Sequence, residues 1–577
     1  MRRSRWILLL LTALVFAIVT SWLWWVRPKK VDMAAYAPAD SMLYLEANQP
    51  LEVVETIADT EAWRAFERTM GTSASASRSR WLQGFIGWTG IGTIQSVILA
   101  RAQVAAVVTD LGTMEEGDTL RIKPEVAVLI ETHTAESRIR STFEQALKSL
   151  AEKTYGHPIS RRITLDGVDF IEWSAPEGSR QIAGTIIGSL VIVGNSEHAV
   201  RNCVAVSLRR RPSLKDDPEL DRMRLQLGGE HLLTFGYVPP NNSARLLAVG
   251  LPLLLGQAPG DSEFQRLIKN GAAKIFGSLG WTSRAYLTGI EDRYLITLQP
   301  SIAARLKPYF GPPNINSQIQ RLLPDDVYSV TSYKFANPAA TWQSLKTGVS
   351  SQVDALSTIV FSSLLKSSLL SYGINDPESF LSAVNGELLT LRLDENAERS
   401  IFIGGVQDRA TLRDLVTKKM GLTLRGGHVN QMETFEDSQR EFAASFISDF
   451  IVVGPSADVR RYAAIRQANL ELNAEKLKRM TFFVPSSTSA NILTYTDDGN
   501  RVRSFISAII AAKGAPTVTS GRIEEAVAGL PFSVTETTLS DRGIERITRS
   551  PLGQFSTVIP LLVPEQLSAT KTGTESK

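Results

Sequence analysis

The strongest pattern along the chain is an uncharged run from Trp6 to Val26, WILLLLTALVFAIVTSWLWWV. Its 21 residues would extend about 31 Å as an α-helix, enough to cross a hydrocarbon core. Trp22, Trp24 and Trp25 crowd one end, where indole rings favour the membrane interface, and Arg27, Lys29 and Lys30 follow at once. The pattern predicts an uncleaved membrane-spanning anchor. A signal peptide is the competing reading, but its apolar core should be about 7–15 residues and end in a small-x-small site. The nearest such triplet, Ala35-Tyr36-Ala37, is followed by Pro38. No later run is long and apolar enough to span, so a single crossing is expected, with the N-terminal tail in the cytoplasm and the rest outside.

Beyond the anchor the strand and helix patterns repeat. Pro38-Ala39-Asp40 before SMLYLEANQP has a counterpart in Pro324-Asp325-Asp326 before VYSVTSYKFANP. The segments 125–150 and 400–420 each read as a strand, a polar cap and a helix with apolar positions three and four apart. SLVIVGNSEHAVR (189–201) pairs with DFIVVGPSADVRR (449–461), 231–241 with 490–500, and the hairpin-like 283–298 with 533–548. The expected fold class is therefore α+β: two tandem homologous modules of mixed, mainly antiparallel sheet with packed helices, preceded by one transmembrane helix. The boundaries read as a tail and anchor over 1–30, a first module over 31–310, a linker over 311–321, a second module over 322–564 and a disordered tail over 565–577.

Three of these segments, the Pro38-Ala39-Asp40 strand opening, LVIVGNSEHAVR, and Ser213-Leu214-Lys215-Asp216-Asp217-Pro218, resemble the uncharacterised bacterial family called domain of unknown function 3352. That resemblance implies an N-terminal membrane segment and an extracytoplasmic body. It supplies no activity and no functional residues.

Charge refines the picture. The formal net charge is +3, but residues 1–30 hold six basic groups and no acid, leaving 56 basic against 59 acidic groups, or −3, in the body. A body without a positive field is a poor partner for nucleic acid. The single cysteine, Cys203, excludes an intrachain disulfide, and the apolar run around it reads as core helix.

Several patterns invite chemistry. Gly194-Asn195-Ser196-Glu197-His198 sits between strand and helix like a nucleophile elbow but lacks the last glycine, and its counterpart reads Gly454-Pro455-Ser456. Helix capping by Ser196 and Ser456 is the expected role. Ser363-Leu364-Leu365-Lys366, Ser489-Ala490-Asn491 and Lys571-Thr572-Gly573 follow the order of a penicillin-binding enzyme, yet the last triplet lies in a polar tail, and Lys346-Thr347-Gly348 precedes the would-be nucleophile. His133, His157, His198, His231 and His428 show no metal-binding spacing. The pairs Glu115-Glu116, Asp216-Asp217 and Asp497-Asp498 read as solvated turns, and Arg209-Arg210-Arg211-Pro212 as a basic loop that could also meet anionic headgroups. The stretches 246–256 and 356–370 are apolar on most of their circumference.

No catalytic, cofactor or metal residue is assigned. The expectation is a single-pass envelope protein that binds or scaffolds without catalysis. It touches lipid through residues 6–26 and has room for a protein or hydrophobic ligand at the inter-module interface. An envelope hydrolase or transferase, and a lipid carrier, are the alternatives.

Overall fold

Among the described residues twenty strands form, and every pairing among them is antiparallel. The computed structural model describes residues 30–48, 50–70, 102–116, 119–165, 167–178, 180–228, 232–246, 270–309, 322–350, 365–394, 400–425, 433–439, 441–468, 473–485, 490–513 and 520–556. The first half contributes β1 (Leu43–Ala47), β2 (Gln103–Glu116), β3 (Thr119–Glu131), β4 (Ile159–Leu165), β5 (Val168–Ser174), β6 (Gln181–Ile187), β7 (Leu190–Gly194), β8 (Leu232–Val238), β9 (Phe276–Tyr286) and β10 (Gly289–Leu298). The second contributes β11 (Ser329–Lys334), β12 (Val384–Arg392), β13 (Ile401–Val406), β14 (Thr423–Leu424), β15 (Glu433–Glu436), β16 (Phe442–Ile447), β17 (Phe450–Pro455), β18 (Ile492–Thr496), β19 (Ser533–Ser540) and β20 (Gly543–Ser550).

Their registers link them in one open sheet, β4-β5-β6-β7-β3-β2-β1-β8-β9-β10-β20-β19-β18-β11-β12-β13-β17-β16-β15-β14. At the usual strand spacing it measures about 90 Å along its curve. Read inward from either outer edge, the order is the same, each strand of the first ten holding the place of the strand ten later.

Fully apolar strands are buried on both faces, as their sequences require. In β7, Ile192 packs with Val200, Cys203 and Val204 of helix Glu197–Ser207, while Val191 meets the Ile139 side of helix Glu136–Tyr155. In β17, Val452 lies with Val459 and Tyr462 of helix Ser456–Gln467, whereas Ile451 and Val453 face Leu412, Leu415 and Val416. Glycine is the last residue of β7 and the next-to-last of β17 because nothing larger fits: a Cβ on Gly194 would come 2.7 Å from the Val126 carbonyl oxygen, and one on Gly454 2.9 Å from that of Ser400.

The two-module expectation is corrected here, as is the mixed sheet. Strand β10 pairs with β20 over eight residues, from Ile290↔Ser550 to Thr297↔Gly543, so both halves share one ladder. Their helices interlock as well. Trp63 and Phe66, from helix Glu61–Met70 of the first half, share a core with Phe505, Ile506 and Leu530 of the second, with Trp63 6.5 Å from Phe505 between ring centroids. Ile302 and Leu306 pack with Leu345 and Ile544. These two apolar clusters are completed only where the halves meet.

At the seam, Glu291 and Arg549 stand directly opposite each other on one face. The Arg549 Nε donates to Glu291 at 2.9 Å, and its Nη1 to Glu536 at 2.6 Å and to the Val484 carbonyl at 2.8 Å. Arg284 and Arg293 each donate through Nε to the other Glu291 oxygen at 2.7 Å. Burial disfavours the Glu291 charge, but the Arg293 bonds and the charges of Arg284 and Arg549 outweigh it and hold its pKa below the usual range.

The span Trp6–Val26, the linker 311–321 and the tail 565–577 lie outside the described residues. Among the described residues no helix is long and apolar enough to cross a membrane. Removing one partner of a fully buried ion pair typically costs about 3–5 kcal/mol. Arg549→Met is expected to lower stability by that order, read as a fall in the urea midpoint; an unchanged midpoint would show that the pairing carries no weight.

Candidate functional site

The described chain begins at Lys30, and its first residues are fixed to the body. The Gln103 side chain grips Val31 at both ends, its Oε1 accepting from the Val31 amide at 2.7 Å and its Nε2 donating to the Val31 carbonyl at 2.8 Å. Asp32 caps the short helix Met33–Tyr36 by accepting from Ala34 N–H, and Arg224 holds its carboxylate in a fork at 3.0 and 3.2 Å. Arg224 also reaches Glu46, whose pKa burial raises even against that cation. Met33 and Ala34 are fully buried in the first-half core.

Beside this joint lies a cleft of ≈620 Å³, lined by Ala35, Val206, Pro212, Ser213 and the charged residues Arg209, Arg210, Arg211, Lys215 and Asp216. The local fold builds it as follows. Helix Glu197–Ser207 ends with Arg209 in the left-handed region, φ 57°. The Arg209 and Arg210 amides bond back to the Val206 and Ala205 carbonyls, both at 2.8 Å, which is the Schellman ending that favours glycine. An arginine there costs roughly 1–2 kcal/mol of backbone strain. Pro212 then turns the chain against the segment that follows the joint: Ala39 N–H bonds to the Pro212 carbonyl at 3.2 Å and Leu214 N–H to that of Ala37 at 2.8 Å. Arg211 is held by Asn202 at 2.6 Å and Asp40 at 2.5 Å. Arg209 and Lys215 are exposed and have no acidic partner among the described residues. Four cations thus face the cleft, with Asp216 the only acid in its lining.

The Ser213–Pro218 run proves architectural. Ser213 Oγ–H donates to Asp216, and Asp217 caps helix Pro218–Leu227 while accepting from the Tyr237 hydroxyl at 2.8 Å. Burial, reinforced by that bond, pushes the Tyr237 pKa far up.

The other candidate residues are scattered. Ser196 occupies the N-cap position but its side chain makes no capping bond; Ser456 is buried inside the first turn of its helix with an unpartnered Oγ. Capping by these two hydroxyls is therefore corrected, and the shared glycines account for the match instead. Ser363, Ser489 and Lys571–Gly573 lie outside the described residues, as do His231, His428 and most of 246–256 and 356–370. Lys366 is in the described segment 365–370, Asn491 accepts from Leu539 N–H, and Lys346 pairs with Glu378. His157 and His198 are exposed, and His133 lies 3.9 Å from Glu131. Among the described residues no group of three or more His, Cys, Asp or Glu could hold a metal. Burial pushes the Cys203 thiol up to about 12, which leaves it unreactive. Glu115 and Glu116 sit in β2 rather than in a turn. At the junction of the halves lie the buried charge network and, in helices from both halves, the Trp63–Phe505 core. Gln103 and Arg224, which fix the joint, belong to no motif that sequence could flag.

No family model, curated protein or solved structure matches this chain.

Two buried carboxyls make stability pH-dependent. Burial raises Asp292 to about 6, against bonds from Ser283, Gln554 and Trp281. Burial also raises Asp498 to about 6, against the Arg501 charge and the Ser533 hydroxyl. Unfolded Asp titrates near 3.9, so the folded state holds these protons more tightly, and stability from both groups rises as pH falls through 6. The urea midpoint is expected to be higher at pH 5 than at pH 7.5, each carboxyl contributing about 1.4 kcal/mol between those two pH values. Asp498→Asn should remove roughly half of the difference. A midpoint that falls between pH 7.5 and pH 5 would contradict this.

Proposed function

We propose that this chain is a single-pass, membrane-anchored protein of the bacterial envelope, of the kind suggested by its resemblance to domain of unknown function 3352. Its body stands outside the cytoplasm and works by binding, as a rigid scaffold without catalysis. The observation that carries this reading is the joint: the chain is clamped by Gln103 and Arg224 within six residues of the last residue of the apolar run. A body meant to move freely on a tether would follow its anchor with a flexible linker. Here the chain is fixed to the body from Val31 onward, which leaves few residues for such a linker. The negative body behind a basic flank and the Trp22, Trp24 and Trp25 cluster support the same arrangement.

The test is extraction and topology. The full chain is expected to stay in the membrane pellet after alkaline carbonate, and a reporter fused after Lys577 is expected to be active only outside the cytoplasm. Release by carbonate, or a reporter active only in the cytoplasm, would overturn the proposal.

A further inference from the structure

We propose that the basic cleft at Arg209–Lys215 binds the phosphate of an anionic phospholipid in the leaflet from which the body emerges. This inference rests on the anchored reading above. Three observations converge on it. The first is chemical: Arg209, Arg210, Arg211 and Lys215 line an open cleft on a body whose net charge is −3. Planar guanidinium groups suit phosphate oxygens, and an ammonium adds a point charge.

The second is the strain at Arg209. A cation occupies a helix-ending position where glycine would relax the backbone, and the resulting turn leads directly into Arg210 and Arg211 at the cleft.

The third is reach. Ala35 lines the cleft, and Lys30 precedes it by five residues, no more than about 18 Å of chain. Val26, the end of the apolar run, is four residues further back, at most about 14 Å. The short helix Met33–Tyr36 contracts this path further. A site so tethered meets headgroups at a high effective concentration, which a soluble phosphate does not share. Lys30 and the cleft then act together on the headgroups.

The experiment places the full chain in nanodiscs of phosphatidylcholine alone or of phosphatidylcholine with phosphatidylglycerol at about 7:3, and follows amide hydrogen exchange across 33–40 and 207–216. At least fivefold slower exchange over 207–216 is expected in the anionic discs only. It should be lost in an Arg209→Gln, Lys215→Gln double variant and at high salt, where exposed charges are screened. Unchanged exchange over β7 and β10 in the variant shows that the fold is intact. Equal exchange in both discs would overturn the inference. Equal protection by inorganic phosphate in phosphatidylcholine discs would also overturn it, reassigning the cleft to a soluble oxyanion. A chain that fails to co-elute with either disc would instead sink the anchored reading, and is read out separately.

Discussion

The fold depends on the contact of Glu291 with Arg549 across β10 and β20. Both side chains are almost wholly removed from water, with relative exposures of 0% and 1%. An unpartnered charge there would cost several kcal/mol, so each constrains where the other can be. Because side chains alternate between faces, sliding β20 by one residue would carry Arg549 to the opposite face, away from Glu291, Glu536 and Tyr286. The ion pair therefore specifies register. Apolar area comes from the helices, where Trp63 and Phe66 of the first half pack with Phe505 and Leu530 of the second.

This arrangement explains how a sheet of twenty strands stays one object. Open antiparallel sheets seldom exceed about ten strands without splitting or curling. Here the β10–β20 ladder is tied by a buried charge network, and helices from opposite halves share an apolar core beside it, so parting the halves would expose both charge and apolar surface. At the outer edges, β4 carries exposed Arg161 and Arg162, and β14 is only two residues long, both features that discourage pairing with another chain. The rigidity reaches the first described residues through Gln103 and Arg224, and the basic cleft beside them is built on the same first-half core.

Much of the element order was legible from sequence. The matched segments fall on strands that occupy equivalent places in the sheet: 189–201 and 449–461 on β7 and β17, 283–298 and 533–548 on β9–β10 and β19–β20. The joining of the halves was not legible. Alternation reports which face of a strand is buried, but not which edge finds a partner. The segment GIEDRY looks like a charged, solvated hairpin, yet Glu291 and Asp292 are completely buried because β20 and the turn at Gln554 cover them. The cleft was half legible. The arginine run could be seen in the sequence, but its enclosure depends on Ala39 and Ala37 bonding to residues about 175 positions away.

The β10–β20 pairing also sets a timetable for biogenesis. Its opposed residues, Glu291 and Arg549, are 258 positions apart, so the first ten strands are synthesised well before their partner edge exists. During that interval β10 presents an unpaired ladder beside a helix pair whose core is missing, the kind of surface that recruits chaperones or aggregates. Truncation after β10 leaves that strand without its partner β20 and the Trp63–Phe66 cluster without Phe505 and Leu530.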